Sequence, residues 1–540
     1  MSEKRIYLIN MKTLRLIVLT STCFGLIFSN CNAGGNGIPR KDVKSITIKV
    51  NPKTMKYLGT VDGRYQSYNI EMAEVIGGNF WKPYPPEELN KSKTAKAPAN
   101  AKSETGGADT SLFQAIPPID LSDSRLRKLA AALGPAYLRV SGGWANSVFF
   151  QDKEKVIPKG FNGVLTKAQW KGVIDFSKAV DAKLVTSFAV SAGTRDSKGI
   201  WTSKEAKKII DYTKSIGGII TAAELFNEPD IPGAGGAPAG YNAQTFAKDI
   251  AAFRTFTKKS IPGMLIVGPG STGEGVATIP KSMPFIPSAD LLSATPNPVF
   301  DVFSYHYYGA VSQRCASMGK DMTTTPEAAL TANWLSRTDS VFNFYKKLQE
   351  QFAPGKPIWL TETADAACGG NPWAVTFLDC FRYLEQMGRL AKGGVQVIFH
   401  NTLASSEYGL LDQKTHLPKP DYWAALLWAK LMDKEVFEAG KGASGVDLFA
   451  HSMKGHEGGI TLLVINTNKT AVNINIPVEA QQYTLTSKKL QGKTVQLNGV
   501  DLELNANDDL PDITGKPIKA GTIALPPLSI TFITFANATM

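Results

Sequence analysis

The sequence predicts an α/β protein in which a (β/α)8 TIM barrel is followed by a C-terminal antiparallel β-sandwich domain. Two patterns in the 540-residue chain support this prediction. Between about residues 60 and 425, eight short apolar runs alternate with helical stretches, which is typical of βα units around a parallel sheet. After about residue 430, apolar and polar residues alternate in short runs between turn residues, which is typical of an antiparallel sandwich.

Each predicted barrel strand is a short apolar run. In chain order these runs span residues 65–70, 136–140, 183–189, 222–226, 265–268, 302–305, 357–361 and 395–400. Between them, spacings such as that of Phe246, Ile250 and Phe253 place apolar side chains on one face of a helix. A doubly wound sheet is the alternative, but it would carry a glycine-rich dinucleotide loop after the first strand. Gly77 and Gly78 alone do not match that motif.

The predicted sandwich strands have one buried face, because apolar and polar residues alternate along them. Examples lie at residues 461–468, 472–478, 482–487, 494–499 and 529–536. A similar run at residues 45–50 precedes the barrel and can add a strand to the same sandwich. We therefore assign residues 60–427 to the barrel, and residues 43–58 together with 428–540 to the sandwich.

Residues 1–33 have the layout of a secretory signal peptide. Basic residues from Lys4 to Arg15 lead into the apolar run 16–28, which is too short to span a bilayer comfortably. Cleavage after Ala33 would release a free protein, whereas cleavage before Cys31 would leave a lipid-modified cysteine and a membrane anchor. We therefore expect an exported protein that is periplasmic, extracellular or lipid-anchored to the cell surface.

The formal net charge of +12 favours an anionic partner, such as nucleic acid, a membrane surface or an acidic polysaccharide. Removal of the signal segment, which holds four basic residues and one acidic residue, leaves +9. The basic residues are scattered and form no recognisable nucleic-acid motif, so nucleic-acid binding is not expected. The polar segment 85–110 predicts a long loop, whose lysines either meet an anionic substrate or face solvent: Lys91, Lys93, Lys96 and Lys102.

Three cysteines follow the signal segment: Cys315, Cys368 and Cys380. Their spacings, with no histidines paired nearby, do not resemble a zinc site, and no metal is expected. Export to an oxidising compartment permits one disulfide. The residues allow two interpretations, which are three buried thiols or a Cys315–Cys368 bridge that leaves Cys380 free.

Two predicted strand ends carry a glutamate where the catalytic groups of a TIM barrel lie. The fourth strand leads into Asn227, Glu228 and Pro229, and the seventh leads into Glu362. Hydrolysis of a glycosidic bond needs a carboxylic acid beside the leaving oxygen and a carboxylate on the opposite face of the sugar. The two groups lie ~5–5.5 Å apart when the second is a nucleophile. A single glutamate at a strand end is usually an ion-pair partner, but this pair on facing strands predicts a retaining glycosidase.

These segments resemble glycoside hydrolase family 79, the heparanase and β-glucuronidase family of clan A. The resemblance spans about residues 60–535 and rests on several segments in the same order. They are AYLRVSGG (136–143), DVFSYHYYG (301–309), IWLTETADAACGG (358–370), EYGLLD (407–412), LPKPDYWAALLWAKL (417–431) and LPPLSITF (525–532). The resemblance implies a barrel with a β-sandwich and a secreted retaining hydrolase of β-glucuronides that needs no cofactor.

The resemblance also implies roles at the barrel mouth. Glu228 would be the general acid/base and Glu362 the nucleophile, while Asn227 would bind the sugar 2-hydroxyl. Arg139 is placed to keep Glu362 ionised, the alternative being a purely structural ion pair. Tyr308 can donate a hydrogen bond to the same carboxylate.

A substrate carboxylate would be bound, by the same resemblance, by the backbone N–H groups of Gly369 and Gly370 and by the Tyr408 hydroxyl. Glycines let the backbone approach an anion closely, although a plain turn is the other interpretation of this pair. Cys368 precedes the glycines where a mammalian member of the family has a tyrosine, with a spacing difference of one residue. A bridge from Cys368 to Cys315 would make this rim more rigid.

Further sugar contacts are predicted from residues near strand ends. Asn69 ends the first strand and is assigned to substrate binding, and Trp144, Trp201 or Trp373 can stack on a sugar ring. Packing inside the protein is the alternative role for these tryptophans.

Two other functions are compatible with the sequence. A clan A retaining hydrolase of neutral sugars, such as a β-xylosidase or β-glucosidase, would have no use for a carboxylate pocket. A non-catalytic surface protein that binds acidic glycans would not need two facing glutamates. The sequence leaves exo or endo cleavage, the linkage and the oligomeric state open.

Overall fold

The computed structural model describes residues 47–85, 110–154, 156–274 and 283–538. The predicted signal segment, with Cys31 and Ala33, lies outside the described residues, as do the four lysines of the 85–110 segment. Within these ranges, no helix is both long and apolar enough to cross a bilayer.

Eight parallel strands close into a barrel, which confirms the predicted fold class. The strands up to the end of the barrel are β1 (Thr47–Lys49), β2 (Tyr57–Thr60), β3 (Gln66–Glu71), β4 (Gly78–Trp81), β5 (Phe113–Ile116), β6 (Ala136–Ser141), β7 (Phe149–Gln151), β8 (Val164–Thr166), β9 (Ala182–Ser187), β10 (Ile220–Glu224), β11 (Leu265–Ser271), β12 (Val302–Tyr308), β13 (Ile358–Ala364) and β14 (Val397–His400). The order around the barrel is β3, β6, β9, β10, β11, β12, β13 and β14, and β14 pairs with β3. Each of the eight predicted runs overlaps one of these barrel strands.

Helices connect the barrel strands and cover the barrel. In chain order they are α1 (Met72–Ile76), α2 (Ser124–Ala132), α3 (Lys167–Ala179), α4 (Lys204–Ser215), α5 (Ala243–Ser260), α6 (Ser288–Ser293), α7 (Ala332–Leu335), α8 (Arg337–Phe352), α9 (Phe377–Gly393) and α10 (Pro420–Leu431). Short 3₁₀ helices lie at Pro52–Thr54, Thr110–Leu112, Gly143–Ser147, Ala192–Thr194, Gln313–Met318, Lys320–Met322 and Pro372–Val375. The predicted apolar face of α5 is buried, because Phe246, Ile250 and Phe253 are each at most 2% exposed.

Two packed sheets follow the barrel in the chain. Their strands are β15 (Met432–Phe437), β16 (Val446–Met453), β17 (Ile460–Asn466), β18 (Val472–Ile476), β19 (Ala480–Thr486), β20 (Gln496–Leu497), β21 (Val500–Asp501), β22 (Lys516–Ile518), β23 (Gly521–Leu525) and β24 (Ser529–Phe535). The larger sheet has the antiparallel order β2, β15, β16, β17, β24, β19, β20, β21, with β22 also paired to β19. The smaller sheet has the order β1, β18, β23, and a shared apolar core lies between the two sheets.

The N-terminal part of the described chain joins both sheets. β1, which lies within the run at residues 45–50, pairs with β18 in parallel. β2 pairs with β15 of the larger sheet, so the predicted boundary near residue 58 falls inside a sandwich strand. The chain therefore enters the barrel from the sandwich and returns to it.

The inside of the barrel changes from apolar to polar along the strands. One apolar cluster includes Tyr137, Val267 and Trp359, which lie toward the N-terminal ends of β6, β11 and β13. Farther along, Arg139 and Glu362 are also buried, so charged groups occupy the barrel interior near its C-terminal mouth. Buried charges are costly unless they are paired, so this polar region marks the candidate functional site.

Candidate active site

Glu228 and Glu362 come together at the C-terminal mouth of the barrel. Glu362 lies in β13, and Glu228 lies just beyond the end of β10. Glu228 has a φ of 57°, a left-handed conformation that non-glycine residues seldom adopt and that is often found at functional sites. One carboxylate oxygen of each glutamate and a ring nitrogen of His306 all lie within 4.8 Å of one another. The two carboxylates are thus close enough to act on the same bond of a substrate.

His306 lies between the two glutamates. Its Nδ1 is 3.0 Å from Glu228 Oε1 and 3.7 Å from Glu362 Oε2, and its Nε2 is 3.3 Å from Arg139 Nη2. Burial alone would lower the pKa of His306, but the Glu362 charge and the bond to Glu228 raise it above its ordinary value, and Nδ1 donates to Glu228 Oε1. The Oε1 atom of Glu228 is therefore occupied, and Oε2 is the oxygen that can carry an acidic proton.

Arg139 forms hydrogen bonds with Glu362, the predicted nucleophile, inside the barrel. Its buried guanidinium donates to Glu362 Oε2 at 3.0 Å, to Asn227 Oδ1 at 2.6 Å, and to Glu224. The predicted contact with Glu362 and the alternative structural ion pair, made here with Glu224, are therefore both present. The positive charge of Arg139 compensates the two buried carboxylates of Glu224 and Glu362. This pairing lowers the free-energy cost of burying these charges in the barrel.

Tyr308 occupies the other oxygen of Glu362. Its hydroxyl donates to Glu362 Oε1 at 2.7 Å. The Asn401 side chain then donates to the Tyr308 hydroxyl at 3.0 Å and to the Tyr408 hydroxyl at 3.3 Å. Asn401 thereby links the glutamate pair to the predicted carboxylate pocket.

The environments of the two glutamates shift their pKa values in opposite directions. Burial raises the pKa of Glu228, and the nearby Glu362 charge adds to this, although the hydrogen bond from His306 opposes it. Burial also acts to raise the pKa of Glu362, but His306, Arg139 and the Tyr308 hydroxyl together bring it below its ordinary value. A protonated acid beside an ionised carboxylate is the division of labour that a retaining glycosidase requires.

Glu71 is a third carboxyl group at the mouth, and it is not among the site residues predicted from the sequence. It ends β3 and is 5% exposed. Burial and the Glu362 charge raise the pKa of Glu71 well above its ordinary value. A Cβ atom on Gly142 would lie 1.5 Å from Glu71 Oε2. The residue that directly follows β6 must therefore be glycine to make room for this carboxyl group.

Gly369 and Gly370 adjoin Tyr408. Their φ angles are 82° and 84°, which favour glycine, and Cys368 before them also has a positive φ of 62°. A Cβ atom on Gly370 would lie 3.0 Å from the Tyr408 nitrogen. Tyr408 packs against Tyr308, so the predicted carboxylate pocket is adjacent to the glutamate pair.

The side chains of Asn227 and Asn69 both form hydrogen bonds inside the protein. The Asn146 side chain forms two hydrogen bonds with the backbone of Asn227. It donates to the Asn227 carbonyl oxygen at 2.9 Å and accepts from the Asn227 N–H at 3.0 Å. Asn69 is 1% exposed and donates to the Thr361 oxygen at 3.1 Å. This bond lets Asn69 position the strand that carries Glu362. Its Oδ1 atom has no partner among the described residues, so direct contact with sugar stays a prediction.

Two of the three tryptophans proposed for sugar stacking are core residues. Trp201 is 3% exposed and Trp373 is 4% exposed, so neither can present a ring face to a ligand. Trp144 is partly exposed, with its ring 5.7 Å from the Phe80 ring. The alternative packing role therefore applies to Trp201 and Trp373.

Strand periodicity could have identified the residues that sequence reasoning missed. Side chains two apart on a strand point to the same side. His306 lies two residues before Tyr308, and Glu71 lies two residues after Asn69. Asn146 had no such signal, because it acts from a 3₁₀ helix.

The described residues contain one group of three potential metal ligands, formed by Glu228, His306 and Glu362. A divalent cation bound there would lie beside the Arg139 guanidinium, which already contacts Glu362 Oε2 at 3.0 Å. Repulsion between the two cations in a buried site disfavours this use. The donor set fits proton transfer better than metal binding.

Comparisons with known proteins show what this chain is similar to. Residues 112–388 match the model of the glycosyl hydrolase family 79 N-terminal domain. Heparanase of Bos taurus is 26% identical over 488 residues, which cover 77% of this chain and 85% of that protein. Hyaluronoglucuronidase of Hirudo nipponia is 25% identical over 471 residues, covering 78% of this chain and 91% of that protein.

Solved structures share the fold. A 4-O-α-L-rhamnosyl-β-D-glucuronidase from Fusarium oxysporum superposes with a TM-score of 0.59 at 12% sequence identity. The match covers 91% of this chain and 100% of that chain. At this identity the similarity shows a common fold of barrel and sandwich.

Proposed function

Because the chain belongs to glycosyl hydrolase family 79, we propose that it is a retaining β-glucuronidase that cleaves β-linked glucuronic acid from glycans or glycosides. Family membership alone does not fix the reaction, so the proposal rests on the site. The observation that carries it is the distance within 4.8 Å between carboxylate oxygens of Glu228 and Glu362. This distance fits the ~5–5.5 Å spacing of retaining enzymes better than the ~6.5–9.5 Å spacing of inverting ones.

In the first step, a Glu362 oxygen attacks C1 of the sugar while the bond from C1 to the leaving oxygen breaks. Glu228 Oε2 gives its proton to the leaving oxygen, and a covalent glycosyl ester with Glu362 results. Arg139 and Tyr308 each hold one oxygen of Glu362, so the carboxylate is ionised and oriented before substrate arrives. Such preorganised contacts lower the barrier because they need no rearrangement during the reaction.

In the second step, Glu228 acts as a base. It takes a proton from water, the water oxygen attacks C1, and the Glu362 carboxylate leaves. The Glu362 charge is one cause of the raised pKa of Glu228, and the ester removes that charge. The pKa of Glu228 therefore falls when the intermediate forms, which suits its change from acid to base.

Recognition of an acidic sugar is assigned to Gly369, Gly370 and Tyr408. Burial raises the pKa of Tyr408, so its hydroxyl keeps the proton that it would donate to a substrate carboxylate. The names of the relatives, heparanase and hyaluronoglucuronidase, support a uronic acid substrate. A neutral sugar would leave these donors without a partner, which costs binding energy.

Hydrolysis of three chromogenic substrates tests the proposal. We expect 4-nitrophenyl β-glucuronide to be cleaved with a far higher kcat/KM than the β-xyloside or β-glucoside, and a preference for either neutral substrate would contradict it. NMR of the first product should show β-glucuronic acid, since two displacements retain configuration. Initial release of the α-anomer would exclude a retaining mechanism.

We also propose that the protein is exported. This part rests on the basic and apolar pattern of residues 1–33, whose structure is not described. Mass spectrometry of the mature N-terminus would distinguish cleavage after Ala33 from lipid attachment at Cys31. An unprocessed N-terminus in the cytoplasm would contradict export.

A further inference from the structure

We propose that the Cys315–Cys368 disulfide and the adjacent Arg314–Glu407 ion pair position the Gly369–Gly370 turn and thereby set the selectivity of the site for an acidic sugar. The inference rests on the proposed function and adds to it the groups that hold the carboxylate pocket in shape. None of these four side chains is assigned to contact substrate. They act through the turn.

The disulfide joins two loops at the barrel mouth. Cys315 follows β12, and Cys368 follows β13 and directly precedes Gly369; their Cα atoms are 6.5 Å apart. Backbone hydrogen bonds of 2.9 Å, from Ala367 to Ala310 and from Ser312 to Ala367, already hold the loops side by side. The disulfide closes this arrangement one residue before the glycine pair.

A chain of two hydroxyl groups, from Tyr84 and Ser312, binds the carbonyl oxygen of Gly370. The Ser312 hydroxyl donates to the Gly370 oxygen at 2.6 Å and lies 2.7 Å from the Tyr84 hydroxyl. The backbone N–H of Arg314 in turn donates to the Tyr84 hydroxyl oxygen at 2.8 Å. The Gly370 carbonyl is thus bound by the same loop that carries Cys315.

The ion pair fixes the first glycine. The Glu407 backbone N–H donates to the Gly369 oxygen at 3.1 Å, and its carboxylate accepts from the Tyr84 backbone and pairs with Arg314. Both side chains of the pair are 6% exposed, and the Arg314 guanidinium lies 4.1 Å above the Tyr84 ring. A buried pair of this kind is difficult to break, because either partner alone would be an uncompensated charge.

The bond to the Gly369 oxygen determines where one pocket N–H group points. In a trans peptide, the carbonyl and the following N–H point in opposite directions. Because the Gly369 oxygen faces Glu407, the N–H of Gly370 must face the other way. Cys368, Gly369 and Gly370 also have consecutive φ angles of 62°, 82° and 84°, a conformation that a free peptide seldom holds.

Opening the disulfide should therefore weaken binding of the substrate carboxylate while the glutamate pair stays in place. A dithiol supplies two electrons and two protons, the S–S bond breaks to two thiols, and the dithiol becomes a cyclic disulfide. A loss of binding that is equal in ground and transition states raises KM with little change in kcat. We expect KM for 4-nitrophenyl β-glucuronide to rise about tenfold, since misplacement by 1 Å can cost up to ~10²-fold.

The experiment compares the oxidised protein with the same protein after dithiothreitol, and with a Cys315→Ser/Cys368→Ser variant that retains the buried Cys380. Alkylation and mass spectrometry verify that the bridge is open. Reductant should raise KM in the wild type and have no effect on the double variant.

Glu407→Gln should raise KM as well. Asp249→Asn is the matched control, because Asp249 forms an equally buried ion pair with Arg195 (side chains 0% and 6% exposed), and it should leave KM unchanged.

The outcomes separate this inference from the proposed function. If the oxidised wild type does not hydrolyse the β-glucuronide, the proposed function is wrong. If it does, and KM is unchanged with the bridge open, the positioning role is wrong. Loss of kcat with constant KM would also overturn it. Should the double variant not fold, reduced wild type and Glu407→Gln provide the same measurement.

Discussion

His306 Nδ1 lies 3.0 Å from Glu228 Oε1. This contact decides which oxygen of the acid is occupied, and it places a titratable ring within 3.7 Å of Glu362 as well. The register of the sheet makes the arrangement possible, because His306 on β12 is directly paired with Glu362 on β13. The proton balance of the site therefore depends on a residue that is neither the acid nor the nucleophile.

Glu362→Gln should abolish turnover, because an amide cannot form the glycosyl ester. Glu228→Gln should slow cleavage of glucuronides with poor leaving groups by about 10²–10⁴-fold, since these need a proton from the acid. The loss should be smaller for the first step with 4-nitrophenyl β-glucuronide, whose leaving group needs little assistance. Pre-steady-state kinetics separate the two steps, and circular dichroism checks the fold. Undiminished activity in either variant would refute the site assignment.

His306→Ala should move the pH optimum to higher pH. His306 lowers the pKa of both Glu228 and Glu362, so its removal raises both values. The acidic limb of kcat/KM follows ionisation of the nucleophile and the basic limb follows loss of the acid proton, so both limbs should shift upward. The measurement is kcat/KM against pH, with His306→Asn as the variant expected to restore part of the hydrogen bond to Glu228. A shift to lower pH would contradict this role.

Tyr308→Phe should reduce kcat/KM about 10–100-fold. The variant removes the 2.7 Å hydrogen bond to Glu362, and a bond to a charged group contributes about 1.5–3 kcal/mol. The pKa of Glu362 should rise, because this bond is one of the causes that lower it, so the acidic limb alone should move to higher pH. An unchanged acidic limb would show that Tyr308 does not act on the nucleophile.

Arg139→Ala should lower the free energy of unfolding by about 3–5 kcal/mol, because it leaves Glu224 and Glu362 as buried carboxylates without their cation. Lys207→Ala is the matched control on the surface, where both side chains of the Lys207–Asp211 pair are more than half exposed. That variant should cost less than ~0.5 kcal/mol. Urea denaturation at neutral pH measures both. Equal losses would show that Arg139 is not the charge that balances the barrel interior.

His451→Asn should flatten the acid dependence of stability. Burial lowers the pKa of His451 to about 4, from an ordinary value of about 6.5, and its Nδ1 donates to the Asp433 oxygen at 2.7 Å. Between pH 6.5 and 4 the unfolded chain binds a proton that the folded protein excludes, so wild-type stability falls as pH falls through this window. The Asn amide can keep the bond to Asp433 without titrating. Denaturation at pH 7.5 and 4.5 should show a smaller loss in the variant, by up to about 3 kcal/mol.

Local sequence patterns determined the barrel and part of the sandwich. Buried parallel strands read as apolar runs because both faces are covered, and each of the eight runs overlaps a barrel strand. In the sandwich, β18 alternates buried and half-buried residues and was predicted. β16 was missed because its central residues 448–451 are all buried, and β15 was missed because Asp433, Lys434 and Glu435 interrupt its apolar pattern.

The sequence also placed Glu228, Glu362, Arg139 and Tyr308 at strand ends, where a barrel collects its polar groups. Only the tertiary structure decided which groups these side chains contact. Arg139 pairs with Glu224 as well as Glu362, and His306 lies between Glu228 and Glu362. Asn69, assigned to sugar from its strand-end position, donates to the Thr361 carbonyl of β13, and its contact with sugar stays a prediction. A strand pattern shows which side a residue faces, but hydrogen-bond partners and pKa shifts arise from strands far apart in the chain, and only barrel closure brings these within a few ångströms.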